Sequence, residues 1–93
     1  MNKISVIIPI FNAEKYLRRT FQCFLKQDYK EYEIIAVNDY STDDSEAIIR
    51  SFILPFQEKG VELKLVNRKT NGGLCAALNS GLICSTGRYL CFP

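Results

Sequence analysis

The chain has 93 residues, which is enough for one domain and no more. Its 47% hydrophobic and 24% charged residues are typical of a globular chain and exclude a disordered one. A net charge of +2, carried by scattered Lys and Arg residues, argues against nucleic acid as a partner, and the lack of His excludes metal binding through imidazole.

The first predicted element is a buried strand. The apolar, β-branched run Ile4–Asn12 is typical of a central strand in a parallel sheet, covered on both faces. The run is short and contains Pro9, so it is not a signal peptide, and no apolar run approaches the roughly 20 residues of a membrane span. Ligands of such sheets lie beyond the carboxyl ends of the strands, which makes Phe11 and Asn12 candidate ligand contacts.

A helix and a second buried strand follow. Apolar residues at helical spacing predict a helix over residues 13–27, with Asn12 as its N-cap. The run Glu33–Asn38 predicts a second strand covered on both faces, which ends at Asp39. The polar face of the helix suggests either a solvated surface or a membrane contact, and the solvated surface is favoured because the core needs the apolar face. This polar face consists of Lys15, Arg18, Arg19, Gln22 and Lys26.

The second helix is predicted to begin within Ser41–Ser45. Hydroxyl side chains there can cap it, and Asp43 and Asp44 would lie in the first turn, where the helix dipole favours negative charge. Pro55 is expected to end or kink this helix near Leu54.

The remaining elements complete an alternating pattern. Residues 61–65 alternate between apolar and charged and predict a half-exposed edge strand. The turn Asn71–Gly73 precedes a predicted helix over 74–84, and a last strand is predicted over 88–92. The order βαβαβαβ predicts an α/β fold with a parallel sheet, and two buried strands plus one edge strand fit the spatial order 3-2-1-4. The binding crevice then lies between strands one and four.

Each candidate ligand contact also has a purely structural explanation. Phe11 could stack on a ring or cover the top of the sheet, and Asn12 is more simply a helix cap. Asp39 ends a buried strand, where a carboxylate is costly unless paired, so ligand binding is favoured for it. Asp43 and Asp44 resemble a metal pair, but the helix dipole explains them better.

One further feature is a weak signal. Backbone N–H groups of Asn71–Gly73 could face a phosphate, but the segment lacks the dinucleotide and P-loop patterns.

The cysteines have no C-x-x-C spacing and are predicted to be reduced, buried thiols of a cytosolic protein. They are Cys23, Cys75, Cys84 and Cys91.

Segments in this order and at this spacing resemble the family 2 glycosyltransferases of the GT-A fold. The segments are Ile4–Asn12, Ile34–Ser45, Asn71–Gly81 and Thr86–Leu90. The resemblance covers essentially the whole chain and implies a Rossmann-like GT-A half, in which residues 1–93 are the nucleotide-sugar-binding part of a glycosyltransferase domain.

The resemblance implies a reaction class. The parent enzymes transfer a sugar from a nucleotide-diphosphate donor, most often a UDP-sugar, to an acceptor hydroxyl, in the synthesis of cell-surface polysaccharide or glycan. It also implies a divalent metal, Mn or Mg, an acceptor that is a glycan or is lipid-linked, and a cytoplasmic location that includes the inner face of a membrane.

The resemblance also implies site residues. The aromatic Phe11 would lie by the nucleobase and the carboxylate of Asp39 would contact it. The full set of implied nucleotide-binding residues is Pro9, Phe11, Asn12, Asp39, Asn71 and Gly73. No catalytic residue and no metal ligand is expected within the chain, because the metal-binding Asp-x-Asp motif and the catalytic base of the family follow the fourth strand.

Departures from the family pattern leave alternatives open. Tyr40 stands where the family usually has glycine, so the turn after Asp39 is expected to be strained or shifted, and Leu78 stands where many members have arginine. One alternative is a catalytically inactive remnant that at most binds nucleotide. Another is a different doubly wound module, but a receiver domain needs acidic residues after strand one and a dinucleotide domain needs a glycine-rich first turn.

We expect the 93-residue chain by itself to transfer no sugar, because the metal that stabilises the leaving diphosphate would have no ligands. Release of nucleoside diphosphate from a panel of sugar donors, with manganese and with magnesium, measures this. Turnover above the buffer rate would contradict the expectation. The edge of strand four is expected to be exposed and to favour self-association.

Overall fold

Strands alternate with helices in the part of the chain that the computed structural model describes, residues 4–68 and 88–91. The strands are β1 (Ile4–Ile10), β2 (Tyr32–Asp39), β3 (Glu62–Arg68) and β4 (Arg88–Cys91). The helices are α1 (Glu14–Leu25) and α2 (Ser45–Lys59). The predicted turn at 71–73 and the predicted helix over 74–84 lie outside the described residues, as do Leu78, Cys75, Cys84 and Phe92.

The strands form a parallel sheet in the order β3-β2-β1-β4. β1 pairs with β2 up to Ile10 opposite Asn38, and with β4 up to Ile7 opposite Cys91. All carboxyl ends therefore lie at one edge of the sheet, which we call the carboxyl edge. The predicted α/β class with a parallel sheet is confirmed, and β3 lies at the side of the sheet as its alternation indicated.

The core lies between the sheet and the two helices. Every residue of β2 is buried, as the unbroken apolar run predicted. The rings of Phe21 on α1 and Phe52 on α2 are 5.2 Å apart, and those of Phe21 and Phe56 are 5.9 Å apart and edge-on. Aromatic pairs in this geometry contribute about 0.5–1.5 kcal/mol each beyond the area they bury, so these rings fix the two helices against each other.

Pro55 was predicted to end or kink the second helix; the predicted end is wrong, because α2 continues through Pro55 to Lys59, and the kink stays a prediction. A proline inside a helix costs about 3 kcal/mol, since it has no N–H to donate and its ring crowds the preceding turn. The burial of Phe56, the next residue, offsets that cost, because this ring reaches the core only if the helix continues. The helix ends at Gly60, which has φ +89°, and the N–H of Val61 donates to the carbonyl of Phe56 at 2.9 Å.

A buried carboxylate sits at the amino end of β2. Glu33 is fully buried, and its Oε2 accepts a hydrogen bond from the Ser5 hydroxyl at 2.6 Å. Its Oε1 lies 3.0 Å from Nζ of Lys64 on β3. The alternation of β3 indicated that Lys64 faces solvent, but its side chain reaches the buried carboxylate, because a buried charge is tolerated only when it is paired.

The surface departs from the sequence-based expectation at one cysteine. Cys23 is exposed on α1 rather than buried, because it lies outside the stripe formed by Leu17 and Phe21. The polar face of α1 is exposed as predicted. In the described part of the chain, neither helix has the length and apolar content needed to cross a membrane.

The ammonium group of Lys59 caps the carboxyl end of α1. Its Nζ donates to the carbonyl oxygens of Phe24 at 3.2 Å and Leu25 at 2.8 Å, and also to that of Gln27. The last carbonyls of a helix have no partner within the helix, and a positive charge there is favoured by the helix dipole. One side chain therefore connects the end of α2 to the end of α1.

We expect Lys59→Met to lower the free energy of unfolding by about 1–2 kcal/mol, because it removes charge-assisted hydrogen bonds to a helix end. Urea denaturation followed by circular dichroism measures the change. Lys15→Met, on the exposed face of α1, is the matched control and should change the stability by less than about 0.5 kcal/mol. Equal effects of the two substitutions would contradict the capping role.

Candidate functional site

The residues that follow β1 and β2 meet at the carboxyl edge of the sheet. Ile10 pairs with Asn38, so Phe11 and Asp39 are each one residue further along neighbouring strands. Phe11 is 50% exposed, whereas Asp39 is only 4% exposed. An exposed aromatic residue and a largely buried carboxylate thus follow the last paired residues of β1 and β2 at the carboxyl edge.

The carboxylate of Asp39 is paired within the sheet. Its Oδ1 lies 3.5 Å from Nη1 of Arg68, the residue opposite it on β3. One residue earlier, Nδ2 of Asn38 donates to Oδ1 of Asn67 at 3.0 Å, and Oδ1 of Asn38 accepts from the backbone N–H of Ser41 at 3.3 Å. The ends of β2 and β3 are therefore connected through side chains as well as through the backbone.

Hydrogen bonds join the loop after β1 to the loop after β2. Oδ1 of Asn12 accepts from the backbone N–H of Thr42 at 2.8 Å and from its hydroxyl at 3.3 Å. In return, the backbone N–H of Asn12 donates to Oγ of Ser41 at 3.1 Å. The predicted N-cap role of Asn12 is wrong: the residue at the cap position is Ala13, which has no side chain able to cap.

The first turn of α1 is capped by side chains from the second loop. The N–H of Ala13 donates to Oγ of Ser45 at 3.0 Å, and the N–H of Glu14 donates to Oδ2 of Asp43 at 3.2 Å. We call these contacts, with those of Asn12, the interloop clamp; its residues are Asn12, Ser41, Thr42, Asp43 and Ser45. The prediction that Ser41 and Thr42 cap the second helix is wrong, because α2 has Asp44 at its N-cap without a side-chain cap. Their polar atoms serve the neighbouring loop instead.

Asp43 has a depressed pKa within this clamp. Desolvation raises the pKa of its carboxyl, but hydrogen bonds from the Ser45 hydroxyl and from the backbone N–H groups of Ser45 and Glu14 lower it. The hydrogen bonds outweigh desolvation, so the pKa lies below the ordinary value of 3.8. Asp43 was predicted to interact with the dipole of the second helix. In the structure its carboxylate accepts hydrogen bonds from backbone N–H groups at the start of both α1 and α2.

Both loops contain a residue in the left-handed backbone region. Asn12 has φ +48°, which asparagine tolerates, and Tyr40 has φ +58°. For a tyrosine this conformation costs about 1–2 kcal/mol, which confirms the expectation of strain at the position where the resembled family has glycine. The Tyr40 side chain is exposed, so the strain is not offset by burial of its ring. The clamp at Ser41 and Thr42 holds the chain in this turn.

The described residues provide no metal centre. Among residues 4–68 and 88–91 there is no group of at least three His, Cys, Asp or Glu side chains placed to hold an ion. Both oxygens of Asp43 already accept backbone hydrogen bonds. Asn71 and Gly73 lie outside the described residues, and Pro9 lies within β1, paired with Val37.

Sequence reasoning missed Arg68 and the clamping role of Ser45. The strand containing Arg68 was predicted to stop at residue 65, three residues too early. The alternation breaks at Val66 and Asn67, so no local signal extended the strand, and the register that places Arg68 opposite Asp39 appears only in the folded sheet. No local signal identifies Ser45, because its partner, Ala13, is 32 residues away.

Comparison with known proteins gives a consistent set of similarities. The model of the family described as glycosyl transferase family 2 matches residues 5–93. The glycosyltransferase GlyA of Streptococcus pneumoniae is 40% identical over 91 residues, which cover 98% of this chain and 12% of GlyA. The chain spans between 12% and 35% of the length of the first curated relatives it matches.

Solved structures are similar over nearly the whole chain. TarS 1-349 of S. aureus in complex with UDP superposes with a TM-score of 0.84 at 32% identity, covering 97% of this chain and 26% of that chain. The mannosyltransferase PcManGT of Pyrobaculum calidifontis, in complex with GDP-Man and Mn²⁺, gives a TM-score of 0.82 at 26% identity, covering 90% and 24%. These neighbours have the predicted GT-A architecture, and they favour it over a receiver or dinucleotide-binding domain.

We expect the contribution of Asp43 to stability to disappear in acid. Its pKa is lower in the folded chain than the unfolded value of 3.8, so the contribution is complete above that value and is lost as the pH falls through the folded pKa. The difference in unfolding free energy between the parent chain and Asp43→Asn should be constant at neutral pH and shrink below 3.8.

Thermal unfolding at a series of pH values measures this difference. Asp28→Asn, in an exposed loop, is the control and should show no comparable trend. A parent–variant difference at Asp43 that stays unchanged through the acid range would show that its hydrogen bonds do not depend on ionisation.

Proposed function

Because the chain belongs to glycosyl transferase family 2, we propose that it forms the nucleotide-sugar-binding part of a glycosyltransferase that transfers a sugar from a nucleotide-diphosphate donor to an acceptor hydroxyl. A UDP-sugar is the proposed donor, and a glycan or lipid-linked molecule is the proposed acceptor. The similarity to TarS in complex with UDP and to a mannosyltransferase with GDP-Man supports the donor class.

The observation that carries the proposal is the position of Phe11 and Asp39 at the carboxyl edge, each one residue beyond the paired Ile10 and Asn38. Open parallel sheets bind ligands at this edge. The site lies between two neighbouring strands whose following connections cross opposite faces of the sheet. Here β1 lies between β2 and β4, so the binding crevice is expected at the carboxyl end of β1, beside Phe11. An exposed ring that can stack on a base and a carboxylate that can accept its imide N–H are the groups needed to bind uracil.

The interloop clamp gives the site its rigidity in this proposal. Oδ1 of Asn12 is occupied by Thr42, so Asn12 acts on the nucleotide by holding the loops that carry Phe11 and Asp39. A pre-organised site loses little conformational entropy when the ligand binds. The assignments of Pro9, Asn71 and Gly73 as further nucleotide contacts rest on their positions in the family motifs.

The described residues fit a nucleoside and do not fit a metal. Asp43 is the next acidic residue along the chain after Asp39, and its oxygens accept hydrogen bonds from backbone N–H groups. We therefore assign to the described residues the binding and orientation of the nucleoside and no part in metal binding. The ligands of the family's divalent cation are proposed to lie outside the described ranges.

The finer assignments form part of the same proposal. We assign residues 1–93 to the nucleotide-binding half of a GT-A domain with strand order 3-2-1-4, supported by the parallel pairing of β4 with β1. A role in polysaccharide or glycan synthesis and a cytoplasmic location, including the inner face of a membrane, follow from the family resemblance. Self-association through the edge of strand four stays a prediction.

We expect Asp39→Asn to weaken binding of UDP by roughly 10- to 100-fold, because a charge-assisted hydrogen bond is worth about 1.5–3 kcal/mol. Titration calorimetry of the chain with UDP measures the affinity, and the thermal unfolding midpoint shows whether the variant is folded. Asp44→Asn is the matched control, since Asp44 is exposed one turn away, and its affinity should equal that of the parent. An unchanged affinity in folded Asp39→Asn would contradict the assignment.

A further inference from the structure

Arg68 occupies a position that the family motifs do not include. It is the last residue of β3, and the sheet register places it directly opposite Asp39, the last residue of β2. Both side chains therefore lie at the carboxyl edge, where the proposed function places the nucleobase. With a cationic side chain at this point, a bound base would contact both a guanidinium and a carboxylate, and not a carboxylate alone.

The geometry of the pair is loose for a purely structural ion pair. Nη1 of Arg68 lies 3.5 Å from Oδ1 of Asp39, beyond the distance of a good charge-assisted hydrogen bond. The side chains are 17% and 6% exposed. Among the described residues, the buried Nη1 has no hydrogen-bond acceptor in bonding geometry. A buried N–H group without an acceptor is costly, and an acceptor supplied by a ligand would remove that cost.

The other carboxylate of β2 provides a comparison within the same sheet. Glu33, at the amino end, has Lys64 at 3.0 Å and the Ser5 hydroxyl at 2.6 Å. That cluster lies at the edge opposite the proposed site, and its closer contacts are those of a structural network. At 3.5 Å, the contact between Arg68 and Asp39 is longer than the 3.0 Å contact between Lys64 and Glu33.

The chemistry of the pair matches one class of base. A carboxylate only accepts hydrogen bonds and a guanidinium only donates them, so the pair presents an acceptor beside a donor. Uracil presents the complement, an imide N–H beside a carbonyl oxygen. Cytosine presents the reverse, a ring nitrogen that accepts beside an amino group that donates. A site with buried polar groups rejects a ligand that leaves them unpaired.

We propose that Arg68 is a specificity-determining residue of the nucleotide site, which orients the carboxylate of Asp39 and, with it, selects keto bases over amino bases. The inference rests on the proposed function and adds to it the recognition of the base edge. Arg68 positions the carboxylate of Asp39 and donates beside it, so its removal affects the choice of base more than the binding of ribose and diphosphate.

UDP and CDP are the probes, because they share ribose and diphosphate and differ only at the base edge. Titration calorimetry of the parent chain should give tighter binding of UDP than of CDP. Arg68→Met should weaken UDP by about tenfold and leave CDP within about twofold, so that the preference collapses. Arg68→Lys keeps the charge and should restore part of the preference, although it lacks the planar fork of arginine.

A double-mutant cycle tests whether Arg68 acts through Asp39. Asp39→Asn with Arg68→Met should bind UDP no more weakly than Asp39→Asn alone, because the two residues act as one unit. This double variant also removes both charges of the pair, and its thermal unfolding midpoint shows whether it is folded. Arg50→Met is the control, since Arg50 pairs with Glu46 at 2.9 Å on the exposed surface of α2 and should not change the preference.

The outcomes separate the inference from the proposed function. A parent chain that binds neither nucleotide overturns both. A parent chain that prefers UDP, together with a folded Arg68→Met that keeps the same preference, overturns the inference and leaves the proposed function standing. Equal losses for UDP and CDP in Arg68→Met also overturn it, because they would show a structural role without base selection. Collapse of the preference with partial rescue by lysine supports it.

Discussion

The complete burial of β2 is the constraint on which the rest of the structure depends. Both faces of this strand are covered, yet it carries a carboxylate near each end, Glu33 and Asp39. Charges so deeply buried are tolerated only when paired, and β3 supplies a cation for each, Lys64 and Arg68. Ion pairs with β2 therefore stabilise the register of β3, in addition to the hydrogen bonds between the two backbones. The same pairing places a guanidinium at the proposed base-binding edge.

The two loops at the carboxyl edge are structurally interdependent. The start of α1 has no cap of its own, and its N–H groups are satisfied by Ser45 and Asp43 from the loop before α2. Asn12 completes the exchange by accepting from Thr42. Since Phe11 directly precedes this clamp, the position of the proposed stacking ring depends on polar atoms far away in sequence. The same loops contain the two left-handed residues, Asn12 and Tyr40.

Prediction from sequence succeeded where the signal was local and failed where it was not. The sequence predicted β1 and β2 from their apolar runs, and α1 from the helical spacing of Leu17 and Phe21. Burial on one or both faces of an element produces such a pattern of apolar residues. Pro55 was misinterpreted, since the burial of Phe56 against a distant helix outweighs the local cost of proline in a helix. Residues of the candidate site could be named from motifs, whereas their partners could not.

The sequence by itself determined the alternation of elements, the parallel sheet and the edge at which polar residues collect. These follow from hydrophobic periodicity, from the handedness of crossovers and from the strand-end positions of Phe11 and Asp39. Only the tertiary structure decided that Asn12 binds the next loop and that Arg68 faces Asp39. Both contacts join residues that are about 30 positions apart, and their hydrogen bonds and charges acquire partners only when parallel strands bring their carboxyl ends together.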